Sequence, residues 1–128
     1  MGLTRVLVAD DNLVYGSTLS RFVSSQPDME VIGVAASGGE AVQLASLLCP
    51  DVVLMDLCMP GLDGFDAMRI LTDTNGRMAV IALTAHCATD SEERSRAAGA
   101  RAFLCKAEVD GRLLELIRSL PSDGRSAT

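Results

Sequence analysis

Aromatic side chains are almost missing from this chain. They make up 3% of its 128 residues, with no Trp and Tyr15 as its one Tyr. A core must therefore be built from Leu, Val, Ile, Ala and Met, and little is on offer to stack on a flavin, which argues against an electron carrier. Histidine occurs once, and the four cysteines (Cys49, Cys58, Cys87 and Cys105) include no C-x-x-C pair. The spacing of a zinc site is thus absent. Basic residues are few and scattered, 11 Lys+Arg against 17 Asp+Glu for a net charge of −6. A domain that grips DNA by itself would carry a basic face. No apolar run reaches the length of a membrane span. Residues 1–6 pass directly into a strand pattern, without the layout of a signal peptide. The expectation is a cytoplasmic chain, with no membrane contact, whose cysteines are reduced and serve as small apolar residues.

What is present is an ordinary mixture, 48% apolar and 22% charged, long enough for one domain with one substantial core. Five short apolar runs stand out, at residues 6–9, 31–35, 52–55, 79–83 and 102–105. None alternates polar with apolar, which is how strands buried on both faces of a parallel sheet read. Helical patterns lie between them. Tyr15, Leu19, Phe22 and Val23 share one face; Ser37 with Glu40, and Thr89 with Glu92, form capping boxes. Phe65, Met68 and Leu71 mark a third helix. Gly99 is a stop, and Asp110 caps a last helix with inner face Leu113, Ile117 and Leu120. The helix around residues 90–98 has almost no large apolar side chain and should be the most weakly held. Five βα units predict an α/β fold: a doubly wound, five-stranded parallel sheet in the order 2-1-3-4-5, flanked by five helices and flavodoxin-like. The domain spans residues 1–120, and the small, polar residues 121–128 read as a linker or disordered tail.

Chemistry on such a sheet gathers at the carboxyl ends of its strands. There the first strand ends in Asp10-Asp11, the third in Asp56, the fourth in Thr84 and the fifth in Lys106. Three carboxylates brought together repel one another. A hard cation such as Mg2+, which prefers few carboxylates plus waters, relieves that repulsion, and Lys106 adds a further positive charge. The set suits an anion. A carboxylate can attack phosphorus to give an acyl phosphate, with Mg2+ and Lys106 stabilising the transferring oxygens and Thr84 donating a hydrogen bond.

These residues carry a resemblance. Asp10-Asp11, then Val53-Leu54-Met55-Asp56-Leu57-Cys58-Met59-Pro60-Gly61-Leu62-Asp63-Gly64, then Thr84-Ala85, then Phe103-Leu104-Cys105-Lys106 resemble the receiver domains of bacterial two-component response regulators, over about residues 5–120. Residues 31–45, the run around Asp56 and the segment around Lys106 look most like the subfamily with a LuxR-type helix-turn-helix output. The resemblance implies that Asp56 is the phosphoacceptor, served by a sensor histidine kinase or a small phosphodonor. It implies that Asp11, Asp56 and the Cys58 backbone carbonyl ligate Mg2+ directly, with Asp10 acting through water. Thr84 and Lys106 would bind the phosphoryl group, and Thr84 with Phe103 would form the switch. It further implies control of an output domain or partner, with transcription as the expected outcome and DNA reached only through an output domain outside these residues. A homodimer on phosphorylation is compatible with it. The expected activity is signalling, with self-phosphorylation and autodephosphorylation as its only chemistry. One departure is Ala107, where the family usually has Pro after its lysine.

Plainer readings stand beside these. Asp10-Asp11 alone fits a turn ahead of a helix; Asp56 after four apolar residues does not, because an unpaired buried carboxylate is costly. His86 fits an exposed loop, or the pocket edge. A phosphatase with an aspartyl nucleophile would need a second Asp two residues beyond Asp56, where Cys58 stands. An unphosphorylated interaction module would not need the complete set.

Overall fold

Burial dictates the centre of the sheet. Every residue of Val52–Asp56 and of Ala79–Thr84 is buried, and β-branched or large apolar side chains fit a pleated surface covered on both faces. The computed structural model describes residues 3–57, 64–74, 78–85 and 89–120. Its elements are β1 (Thr4–Ala9), α1 (Leu13–Ser24), β2 (Met29–Ala35), α2 (Gly38–Leu48), β3 (Val52–Asp56), α3 (Gly64–Thr74), β4 (Ala79–Thr84), α4 (Thr89–Ala97), β5 (Ala102–Cys105), a 3-10 turn (Lys106–Glu108) and α5 (Gly111–Ser119). All strand pairings are parallel, in the order β2-β1-β3-β4-β5. This is the doubly wound, flavodoxin-like arrangement expected from the sequence. The cap at Thr89 and the tail at residues 121–128 rest on groups outside those described.

Strand parity divides the interior into two layers. Leu7, Val53, Met55, Val80 and Ala82 face one core, closed by Ala41 and Ala45 of α2 and Ala67, Met68 and Leu71 of α3. Val6, Val8, Leu54, Ile81 and Leu83 face the other, closed by Leu19 and Val23 of α1 and Leu113 and Ile117 of α5. Each such side chain fully buried contributes about 1.5–3 kcal/mol. The first layer is rich in alanine, which lets its helices lie close to the sheet. β1 and β2 slip by one residue between Val6 and Leu7, which brings Leu7 opposite Gly33. A Cβ there would sit 3.2 Å from Leu48 Cδ1.

The helices start where their side chains can satisfy free backbone N–H groups. Asn12 accepts from Tyr15 N, Ser37 from Glu40 N and Asp110 from Arg112 N. The Ser37 box closes slightly differently from expectation, with Glu40 accepting from Ala36 N at 2.7 Å. Arg118, near the end of α5, donates to both carboxylate oxygens of Asp28 at 2.9 and 3.0 Å, tying α5 to the turn before β2.

Helix α4 is the lightly held one. Among its described side chains the fully buried one is Ser95, and Ala98 follows just beyond it. Its C-terminus depends on Gly99, whose φ of 108° suits only glycine and whose added Cβ would lie 2.5 Å from Thr72 Oγ1. Gly99→Ala therefore combines backbone strain with a steric clash. We expect it to destabilise the chain by about 2 kcal/mol, read as a lower urea midpoint at unchanged slope.

Candidate functional site

The site forms where β1, β3, β4 and β5 end together. At the end of β1, Asp10 N donates to Ala35 O at 2.9 Å, so the chain keeps strand geometry to that point. It then turns, with Asp10 Oδ1 accepting from Asn12 N at 2.8 Å. This leaves Asp10 buried and Asp11 exposed. Asp10-Asp11 thus forms the turn of the plain reading and contributes to the acid cluster as well. Asp56 closes β3 and is buried, held in line by Leu57 N donating to Leu83 O at 3.0 Å. Thr84 closes β4, buried, beside Cys105 in the β4–β5 register.

Carboxylate oxygens of Asp10, Asp11 and Asp56 all lie within 4.8 Å of one another. Unscreened, three such charges are costly to hold together. Lys106 offsets part of that cost. Its Nζ donates to Asp10 Oδ2 at 2.7 Å and lies 3.5 Å from Asp56 Oδ1. Burial disfavours the ammonium, but the Asp10 hydrogen bond and the charges of Asp56 and Asp10 outweigh it and hold the Lys106 pKa above the ordinary lysine value. Lys106 reaches this place from the first residue of a 3-10 turn, through a trans peptide to Ala107.

The oxygen-only donor set suits a hard divalent cation that retains waters. Both Asp10 oxygens already have partners, Asn12 N and Lys106 Nζ. Asp11, exposed at the rim, and Asp56 bring their oxygens to the same cluster. Cys58 and His86 lie outside the described residues.

Phe103 is half-buried against the alanine-rich layer, on the sheet face covered by α2 and α3. Two features depart from the favoured reading of the sequence. Cys105 is disulfide-bonded, with its partner outside the described residues, whereas Cys49 is free and exposed. This corrects the expectation of reduced cysteines, which rested on how the chain begins. β5 ends beside Thr84, where Cys105 borders the site instead of filling a core. The second feature is Tyr15, which periodicity placed only on a buried helix face. Its ring centroid is 4.4 Å from Lys106 Nζ. Burial raises its pKa, Lys106 opposes that rise, and the nearby Asp10 and Asp56 charges add to it. Its position one turn after Asp10-Asp11, and the presence of a single lysine in the chain, were the available signals.

The model of the response regulator receiver domain matches residues 6–118. The chain is 38% identical over 117 residues to the transcriptional regulatory protein LiaR of Bacillus subtilis, covering 91% of this chain and 56% of LiaR. It thus spans little more than half the length of that relative. Among solved structures, the response regulator domain of CheB from Thermotoga maritima is 34% identical with a TM-score of 0.83, covering 91% of this chain and 94% of that one. A LuxR-family response regulator from Aurantimonas sp. SI85-9A1 superposes with a TM-score of 0.88 at 27% identity, covering 97% and 88%. No helix among the described residues is long and apolar enough to cross a membrane. The match over nearly the whole chain, on a sheet whose strand ends bring Asp10, Asp11, Asp56 and Lys106 together, makes this chain a member of the response regulator receiver family, a phosphorylation-dependent signalling domain akin to LuxR-family receivers.

Proposed function

We propose that Asp56 is the phosphoryl acceptor of this receiver and that Lys106, Thr84 and Mg2+ serve it. The observation that carries this reading is the buried Asp56 carboxylate with the Lys106 ammonium 3.5 Å away, inside a cluster of three acids. An Asp56 oxygen attacks the phosphorus of a group carried by a sensor kinase histidine or a small phosphodonor. The new P–O bond forms as the bond from phosphorus to the donor atom breaks, and the leaving group keeps that electron pair. A histidine leaving group then needs no base from this chain. Lys106 faces the charge gathering on the transferring oxygens, and the Thr84 hydroxyl donates to one of them. Asp11, Asp56 and the Cys58 carbonyl would hold Mg2+, with Asp10 acting through water. When bound, the ion supplies positive charge to the same oxygens.

The phosphorylated site adds about 1.5–2 negative charges and strong acceptor oxygens. Thr84 moves toward them, and Phe103 takes the space that Thr84 leaves. The face affected is α4–β5–α5, where α4 resists repacking least. A partner, an output domain or a second receiver reads that face. The relatives that act in transcription support DNA as the final target, reached through an output domain, in the cytoplasm with a sensor kinase as phosphodonor.

Incubation with acetyl phosphate and Mg2+ should add one acid-stable, base-labile phosphoryl group, and Asp56→Ala should take up none. Intact-mass measurement decides this, and equal uptake by both proteins would refute the assignment.

Mg2+ alone should raise the thermal midpoint, by an amount equivalent to about 2.7 kcal/mol at a hundredfold excess over its dissociation constant. Asp11→Ala should weaken binding at least about tenfold. Identical Mg2+ titrations for the two proteins would remove Asp11 from the ligand set.

Amide exchange should locate the switch. Phosphorylation should alter protection in α4 first, and a response confined to another face would contradict the proposed surface.

A further inference from the structure

Lys106 is the chain's one lysine, and its ammonium is enclosed by more than its acids. Asp10 Oδ2 lies 2.7 Å from Nζ, Asp56 Oδ1 lies 3.5 Å from it, and the Tyr15 ring centroid is 4.4 Å away. Behind the head group is a cavity of about 190 Å³ lined by Tyr15, Thr18, Leu19, Phe22, Lys106 and Val109. Lys106 thus borders a mostly apolar pocket, and among the described residues the Tyr15 ring is the one its ammonium lies over.

An apolar side chain of any kind at position 15 could line that space. An aromatic face does something more, because its negative quadrupole attracts a cation. The hydroxyl of Tyr15 adds no hydrogen bond. Oη is buried and makes none in this structure. A buried hydroxyl without a partner is a cost, so the useful part of Tyr15 is its ring. Long lysine stems also carry large rotamer entropy, and Lys106 sits at the start of a short 3-10 turn. Something must hold the ammonium over the acids if it is to be ready when a phosphoryl group arrives.

We propose that Tyr15 is a positioning residue for Lys106: its ring face holds the ammonium against Asp10 and Asp56, so that the cation is in place before phosphoryl transfer. This rests on reading Lys106 as the cation that faces the transferring oxygens. Tyr15 itself touches neither the donor nor the phosphorus. It acts by limiting where Lys106 can go.

Lysine labelled with carbon-13 gives a single side-chain spin system in this protein. With Nζ 4.4 Å over the ring centroid, the ring current should shift the protons at the end of the Lys106 side chain upfield. The shift should be present in the wild-type chain and in Tyr15→Phe, and lost in Tyr15→Met, which keeps a long apolar side chain there without a π face. Acyl phosphate formation from acetyl phosphate at saturating Mg2+ should be about tenfold slower in Tyr15→Met, and within about twofold of wild type in Tyr15→Phe. A mere packing role would lower the thermal midpoint of Tyr15→Met and leave its rate unchanged, which would overturn the proposal. An unshifted Lys106 signal in the wild-type chain would do the same, as would a tenfold loss in Tyr15→Phe. The last two readouts stand even if Tyr15→Met does not fold. A wild-type chain that takes up no phosphoryl group would instead fault the reading of the site, because the ring current is measured without phosphate.

Discussion

One ammonium makes this site possible. Asp10 and Asp56 are buried within a few ångströms of each other, with Asp11 at the rim. Carboxylates so placed, in surroundings of low dielectric, would otherwise repel one another and push the strand ends apart. Lys106 reaches in from β5 and donates to Asp10 at 2.7 Å. The same charge that lets the acids coexist is the charge that can meet a phosphoryl oxygen. The proposed chemical role thus falls on the side chain that already has the structural one, and what fixes that side chain matters as much as the acids do.

The sheet supplies the convergence. β1 and β3 pair in the centre, with β4 and β5 outward from β3. Parallel strands end at one edge, so residues distant in sequence meet there. The layers on either side are unequal in kind. The α1–α5 side is filled by branched side chains and is fastened further by Arg118 to Asp28. The α2–α3 side is rich in alanine, and α4 beyond it carries a fully buried serine. A domain that must keep its acids fixed while one surface responds benefits from this asymmetry. The layer built on branched side chains backs Asp10 and Asp56 on one face, and the alanine-rich layer, with Phe103 packed against it, covers the other.

Most of this was legible in the sequence because it rests on periodicity and on strand ends. Continuous apolar runs signal strands covered on both faces, and five of them with helices between leave few topologies. Asp56 was legible since a carboxylate directly after four buried apolar residues needs a reason. The extents of β1 and β2 were less so. Thr4, Arg5, Met29 and Glu30 pair as strand residues through backbone hydrogen bonds that an apolar pattern does not encode. Tyr15 was hidden for a different reason. Helical spacing says that a residue faces inward, but not which residue of another strand it meets, and Lys106 is far away in the chain. The disulfide at Cys105 was hidden likewise, since spacing along the chain does not say which cysteines pair.

The account stands on which atom receives the phosphoryl group. Borohydride reduces an acyl phosphate to an alcohol, so treating the phosphorylated chain with it marks the acceptor permanently, and peptide mapping then reads its position. A single reduced side chain at Asp56 is the predicted result. Reduction at Asp10 or Asp11, with Asp56 untouched, would contradict the account.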